Sequence, residues 1–188
     1  MSTPAPSTRV WTLPNLISFA RLAVLLPLVV WLLVTGRLWW GLVALIALGA
    51  SDWVDGYLAR RLGQVTLLGQ RLDPVADRVA IVVVIAALVA EGLVPWPAVA
   101  IILAVDLTLL VLAGLWFRGS PDLPVSRIGK WRTACLLGAL PLLITSAAAS
   151  LEWLHVVALV VLWLGVLGHV VAGLGYLRGM AAARHRAR

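Results

Sequence analysis

Asp52-Trp53-Val54-Asp55-Gly56-Tyr57-Leu58-Ala59-Arg60 opens a stretch that continues through Gly69 and Asp73 to Asp77. Apolar runs of membrane-spanning length flank it on both sides. A charged side chain near mid-bilayer costs about 2.5–3.5 kcal/mol on insertion scales, so four uncompensated aspartates would cost on the order of 10 kcal/mol. Something must offset that cost, and divalent cations are the obvious candidate. The chemistry of the chain is therefore expected here.

The surroundings are those of a membrane protein. The 188 residues are 62% hydrophobic and their mean hydropathy is +1.03. Soluble domains sit nearer 45–50% apolar. A formal charge of +7 comes from 15 Lys and Arg, of which only Lys130 is a lysine. In a chain with no soluble domain to bind nucleic acid, that surplus reads as topology signalling and attraction to anionic lipid. The single cysteine, Cys135, excludes an intramolecular disulfide.

Six spans of about 20 residues fit the apolar pattern, at about residues 16–34, 38–59, 72–90, 97–117, 133–149 and 153–177. Pro27 predicts a kink in the first. Gly36, Gly63, Gly92, Gly119-Ser120-Pro121 and Ser150 punctuate the connections. The expected fold is all-α: an integral bundle of six transmembrane helices forming one domain over 1–188. It comprises an N-terminal cytoplasmic segment (1–13), a core (14–177) and a basic tail (178–188) read as a headgroup anchor. Most Arg residues and Lys130 fall in the termini and in the second–third and fourth–fifth loops, and Arg37 alone falls on the other side. The positive-inside rule then puts both termini, and the aspartates, on the cytoplasmic side. Most of the tryptophans sit near span ends, as an interfacial belt would.

At about 100° per residue, with Asp52 at zero, Asp55 lies at about −60°, Gly56 at about +40°, Ala59 at about −20° and Arg60 at about +80°. Two carboxylates, two small residues and an arginine share one helix face. The small residues let a bulky ligand approach the backbone, and the arginine suits a phosphate. Asp73 and Asp77 are four apart on the next helix, and the short link from Arg60 to Gly69 predicts antiparallel neighbours. Oxygen ligands from two helices suit hard cations such as Mg²⁺ or Mn²⁺, and two ions suit a phosphoryl-type displacement. With no His or Cys nearby, zinc is disfavoured. The competing readings are aspartates paired structurally with arginines, a cation or proton pathway, and a non-catalytic scaffold. No carboxylate trail crosses the spans, which speaks against a pathway, and a scaffold has no use for the whole set.

These residues match D-x2-D-G-x2-A-R-x8-G-x3-D-x3-D at every fixed position, and in this the chain resembles the CDP-alcohol phosphotransferases. Pro14-Asn15-Leu16-Ile17-Ser18-Phe19-Ala20-Arg21 is similar to the family's entry into the first span. Ser126-Arg127-Ile128-Gly129-Lys130-Trp131-Arg132-Thr133 is similar to its segment opening the fifth. As a whole the chain looks most like the bacterial phosphatidylglycerophosphate and cardiolipin synthase branch.

The resemblance implies a phospholipid-synthesising transferase in the bacterial cell membrane, with its site facing the cytoplasm. It moves the phosphatidyl group of CDP-diacylglycerol to an alcohol and releases CMP. Glycerol 3-phosphate or phosphatidylglycerol is the expected acceptor, with inositol phosphate or another polar alcohol as the alternative. The resemblance also implies two Mg²⁺ or Mn²⁺ ions, one on Asp52, Asp55 and Asp73, the other on Asp52, Asp73 and Asp77. Asp77 is the implied base. Asn15, Ser18, Gly56, Ala59, Arg60, Thr66 and Gly69 are the implied donor-site positions. Arg71, Arg127, Lys130 and Arg132 are candidates for a phosphate on the acceptor, and a homodimer is implied.

Without the resemblance the same residues have plainer readings. Thr66 reads as a turn residue, Asn15 and Ser18 as a helix cap, and Lys130 and Arg132 as headgroup anchors. His155 and His169 read as packing or interfacial residues. Gly165, Gly168 and Gly173 allow close helix approach, within the chain or between chains. Asp106 is a lone acid in the fourth span. Many family members carry an arginine just before it, where this chain has Val105, so Asp106 is left without an assigned role.

Overall fold

The computed structural model describes residues 12–64, 66–117 and 127–186, and within these helices the side chains at 14, 52, 55, 56, 59, 60, 67–75, 77, 117, 127, 183, 185 and 186 lie outside what is described. Every element longer than one residue in that set is helical. The order is α1 (Leu13–Ala20), a π-helical turn (Arg21–Leu25), α2 (Leu26–Val34), α3 (Leu38–Arg61), α4 (Leu67–Ala90), α5 (Trp96–Phe117), α6 (Arg127–Ala148) and α7 (Glu152–Arg186). With α1 and α2 counted as one interrupted rod, there are six rods.

Four rods contain a stretch long and apolar enough to cross a membrane: Asn15–Val34, Trp96–Trp116, Ile128–Ala148 and Glu152–Ala182. In α3 and α4 the apolar parts are shorter, Leu38–Ser51 and Arg78–Ala90. Both helices still run 24 residues, about 36 Å at 1.5 Å per residue. Of the expected turn residues, Gly36, Gly63, Gly92 and Ser150 all adopt positive φ, while Gly119 to Pro121 lie outside the described residues.

Pro27 does not act as a simple kink. It sits at the start of α2, directly after the π turn, where the Leu26 N–H bonds the Arg21 carbonyl five residues back. A proline cannot donate to the carbonyl four residues before it. A local widening of the helix accommodates that lost bond, and such π turns often mark functional positions.

The chain forms two compact units, 1–93 and 94–188. In the first, α1 and α2 pack on both α3 and α4. Buried residues form helical stripes: Val29 and Leu33 on α2, Ala44 and Leu48 on α3, and Ala76, Ala80, Val84 and Leu88 on α4. Lipid is as apolar as leucine, so such contacts stabilise mainly by close van der Waals packing. Gly41 shows how close: a Cβ there would stand 2.8 Å from Leu33 Cδ2.

In the second unit α7 packs on both α6 and α5, and its glycines permit this. A Cβ on Gly165 would lie 2.9 Å from Leu136 Cγ and 3.1 Å from the Leu136 backbone nitrogen, one on Gly168 3.2 Å from Arg132 Cβ, and one on Gly173 2.5 Å from Val105 Cγ1. These glycines are therefore occupied by packing inside the chain. α7 also continues as helix beyond residue 177, with Met180 fully buried and the Arg184 guanidinium 4.8 Å from the Trp116 ring centre.

Candidate active site

In an apolar span, three polar side chains on one face of a helix need a reason. Asn15, Ser18 and Arg21 follow one another at three-residue steps along α1 into the π turn, and all are buried. The helix cap is not among them. Thr12 holds that place, its hydroxyl accepting from the Asn15 N–H at 3.5 Å. The Asn15 side chain instead reaches 51 positions along the chain, where its Oδ1 accepts the Thr66 hydroxyl hydrogen at 3.0 Å. Thr66 is itself buried, at the entrance to α4. Its turn-residue reading is thereby replaced by a contact that ties the start of α1 to the start of α4.

Thr66→Val keeps the shape and removes that hydrogen bond. It is expected to cost about 1 kcal/mol, the usual net contribution of one hydrogen bond. Thermal unfolding in detergent against the parent protein measures it.

The motif lies on α3 and α4. The side chains of Asp52, Asp55, Gly56, Ala59, Arg60, Gly69, Arg71, Asp73 and Asp77 are outside the described residues, and the backbone register speaks instead. On α3 the buried series 41, 44, 48 continues with helical spacing to 52, 55 and 59. On α4 the buried series 88, 84, 80 continues backwards to 77, 73 and 69. Six of the eight motif positions thus continue the helical registers of those buried residues, and both helices pack on α1. An exposed ladder fills the other side of α3. Trp53 and Tyr57 stack with ring centres 5.4 Å apart, and Arg61 Nη1 donates to the Tyr57 hydroxyl at 3.3 Å.

Two carboxylate positions per helix, one turn apart on regular helices, supply oxygen donors alone. That donor set fits hard divalent ions such as Mg²⁺ or Mn²⁺.

A second polar cluster, in the unit 94–188, was not anticipated. Arg132 on α6 donates from Nη1 to His169 Nδ1 on α7 at 2.6 Å. His169 Nε2 lies 3.1 Å from Asp106 Oδ1 on α5, although the alignment falls short of a well-formed hydrogen bond. The contact is best regarded as electrostatic. His169 is buried, so the interfacial reading does not hold; it bridges two charged groups. The signal was available, since an ionisable residue inside an apolar span is rarely idle. Lys130 is exposed and lies two residues before Arg132, on nearly the opposite side of α6, and the Arg127 side chain lies outside the described residues. Arg21, the last residue of the entry segment quoted above, proves a buried member of the α1 stripe.

Known proteins share this sequence over most of its length. Residues 11–171 match the sequence profile of the CDP-alcohol phosphatidyltransferases. A Streptomyces coelicolor protein named cardiolipin synthase (CMP-forming) is 37% identical over 168 residues, covering 86% of this chain and 77% of its own. A Mycobacterium tuberculosis protein, provisionally named a cardiolipin synthase, is 39% identical over 150 residues, covering 79% of this chain and 71% of its own. A Rickettsia felis CDP-diacylglycerol–glycerol-3-phosphate 3-phosphatidyltransferase is 30% identical over 169 residues, covering 88% and 93%. The chain belongs to the CDP-alcohol phosphatidyltransferase family.

Proposed function

We propose that this protein transfers the phosphatidyl group of CDP-diacylglycerol to an acceptor alcohol and releases CMP, with glycerol 3-phosphate or phosphatidylglycerol as acceptor. The observation that carries the reading is the complete eight-residue signature in the sequence, carried by α3 and α4. The names of the relatives point the same way for both acceptors. The protein acts in the bacterial cell membrane, both termini and the site facing the cytoplasm, where the basic residues concentrate. A homodimer, implied by the resemblance, would use surfaces other than Gly165, Gly168 and Gly173, which pack inside the chain.

The division of labour follows from the chemistry. Asn15, Ser18 and Thr66, with the small positions Gly56, Ala59 and Gly69, receive the nucleotide end of the donor. Arg60 faces its diphosphate and balances negative charge. Asp52, Asp55, Asp73 and Asp77 hold two divalent ions, Mg²⁺ or Mn²⁺. When bound, these ions stabilise the charge that builds on the diphosphate oxygens. Asp77 accepts the proton of the acceptor hydroxyl as its oxygen forms a bond to the β-phosphorus. The bond from that phosphorus to the CMP oxygen breaks, and CMP leaves with the electron pair. Arg71, Arg127, Lys130 and Arg132 are the candidates for a phosphate on the acceptor.

A panel assay tests this reading. Purified protein receives CDP-diacylglycerol, divalent metal and one acceptor at a time: glycerol 3-phosphate, phosphatidylglycerol, inositol phosphate or serine. CMP release with one of the first two is expected. A protein inert with the entire panel would overturn the proposal and return the aspartates to the cation-pathway reading.

A further inference from the structure

The Arg132–His169–Asp106 chain is built from three helices and uses a histidine that the proposed reaction does not employ. Its hydrogen positions follow from elementary chemistry. An arginine guanidinium has N–H donors only and keeps its charge. His169 Nδ1, 2.6 Å from Arg132 Nη1, must therefore present its lone pair. The imidazole proton then sits on Nε2, the nitrogen 3.1 Å from the Asp106 carboxylate. Arg132 fixes this tautomer through its hydrogen bond, and the nearby Asp106 carboxylate favours the same one electrostatically. Among the described residues no carboxylate touches Arg132, and the carboxylate's influence reaches it through the imidazole.

The packing reinforces this. Gly168, next to His169, lets α7 approach Arg132 so closely that a Cβ would stand 3.2 Å from Arg132 Cβ. Gly173, one turn beyond His169, admits Val105, the neighbour of Asp106. The absence of side chains at 168 and 173 is what brings α6 and α5 to the two nitrogens of one ring. Val105 thus occupies a packing role, and the positive partner of Asp106 comes from α6 by way of α7. The Asp106 side chain is itself 56% exposed, so the cluster pairs a buried relay with an accessible acid.

We infer that His169 is a positioning residue. It accepts a hydrogen bond from Arg132 and, held by Asp106, orients the guanidinium to receive a phosphate group carried by the acceptor. This rests on the reading, given above, that Arg132 binds that phosphate. A freely rotating arginine stem would lose rotamer entropy on meeting a phosphate, whereas a fixed fork meets it bidentately at less cost. The role belongs to acceptor binding and not to phosphoryl transfer. It should therefore appear in KM for the acceptor and not in kcat.

The test uses the full-length protein in detergent, with CMP release measured against glycerol 3-phosphate and, separately, phosphatidylglycerol, to distinguish a soluble phosphate monoester from a lipid phosphodiester. His169→Phe keeps the ring shape and removes both nitrogens. It is expected to raise KM for the acceptor that the enzyme uses about tenfold, as for loss of one charge-assisted hydrogen bond. Both kcat and KM for CDP-diacylglycerol should stay within about threefold on the same reasoning. His169→Asn, whose amide oxygen can stand in for Nδ1, should recover most of the loss, and it keeps the proposal testable if the phenylalanine variant fails to fold.

Arg132→Ala is measured alongside. If it raises acceptor KM while His169→Phe leaves it unchanged, the positioning role alone is wrong. If Arg132→Ala leaves acceptor KM unchanged, the phosphate-binding reading fails and the proposal falls with it. Equal losses of kcat and of both KM values in His169→Phe and His169→Asn would mark a merely structural histidine and would also overturn it.

Discussion

Asp77→Asn is expected to lower kcat for CMP release by about 10²–10⁴-fold, the usual contribution of a positioned general base. The substitution keeps size and helix register but removes the carboxylate proposed to take the acceptor proton. A neutral hydroxyl is a poor nucleophile, and an amide cannot activate it. KM for CDP-diacylglycerol should change far less than kcat, because the proposed donor contacts on α1 and at Thr66 are untouched. Steady-state kinetics at saturating metal separates the two parameters. Asp77 is also an implied metal position, so metal titration belongs in the experiment. If excess metal restored full turnover to Asp77→Asn, the residue would be a ligand alone and another group would have to be the base.

Asp52→Asn should be at least as damaging, with turnover falling by about 10³-fold or more. The resemblance places Asp52 on both ions, so one substitution weakens both. Losing charge stabilisation at a developing oxyanion costs several kcal/mol, and each 1.36 kcal/mol is tenfold in rate. This variant should differ from Asp77→Asn in its donor affinity, since the proposed role of Asp52 is to hold both ions, which would neutralise the donor's diphosphate. Measured by equilibrium binding of CMP with and without Mg²⁺ or Mn²⁺, the metal-dependent part of the affinity should disappear. Undiminished metal-dependent CMP binding in Asp52→Asn would contradict the proposed ligand set.

The two clusters differed in how visible they were beforehand. The aspartate motif was legible because its information is local. Charge in an apolar run, with three- and four-residue spacing, specifies a helix face without knowledge of the rest of the chain. The six rods and the positive-φ turns at Gly36, Gly63, Gly92 and Ser150 were readable for the same reason. The π turn at Arg21–Leu25 was not. Pro27 announces a disturbance, but whether the helix bends, breaks or widens depends on what packs against it.

The tail illustrates a competing signal. Loss of hydropathy after residue 177 suggested the end of a helix, yet α7 runs to Arg186 because Met180 is buried and Arg184 meets Trp116. His169 was hardest to interpret. Its significance lies in partners 37 and 63 positions away, Arg132 and Asp106, and no local pattern encodes such a meeting. The glycines at 165, 168 and 173 hinted at close helix approach without saying which helices would come near.

The central claim is that carboxylates on α3 and α4 hold divalent ions for transfer from a CDP-linked donor. Its most direct test is CMP release by the purified protein from CDP-diacylglycerol and glycerol 3-phosphate or phosphatidylglycerol, first after exhaustive chelation and then as Mg²⁺ or Mn²⁺ is added back. The account predicts no turnover in chelator and saturable recovery with metal. Full CMP release in the chelated protein would contradict it.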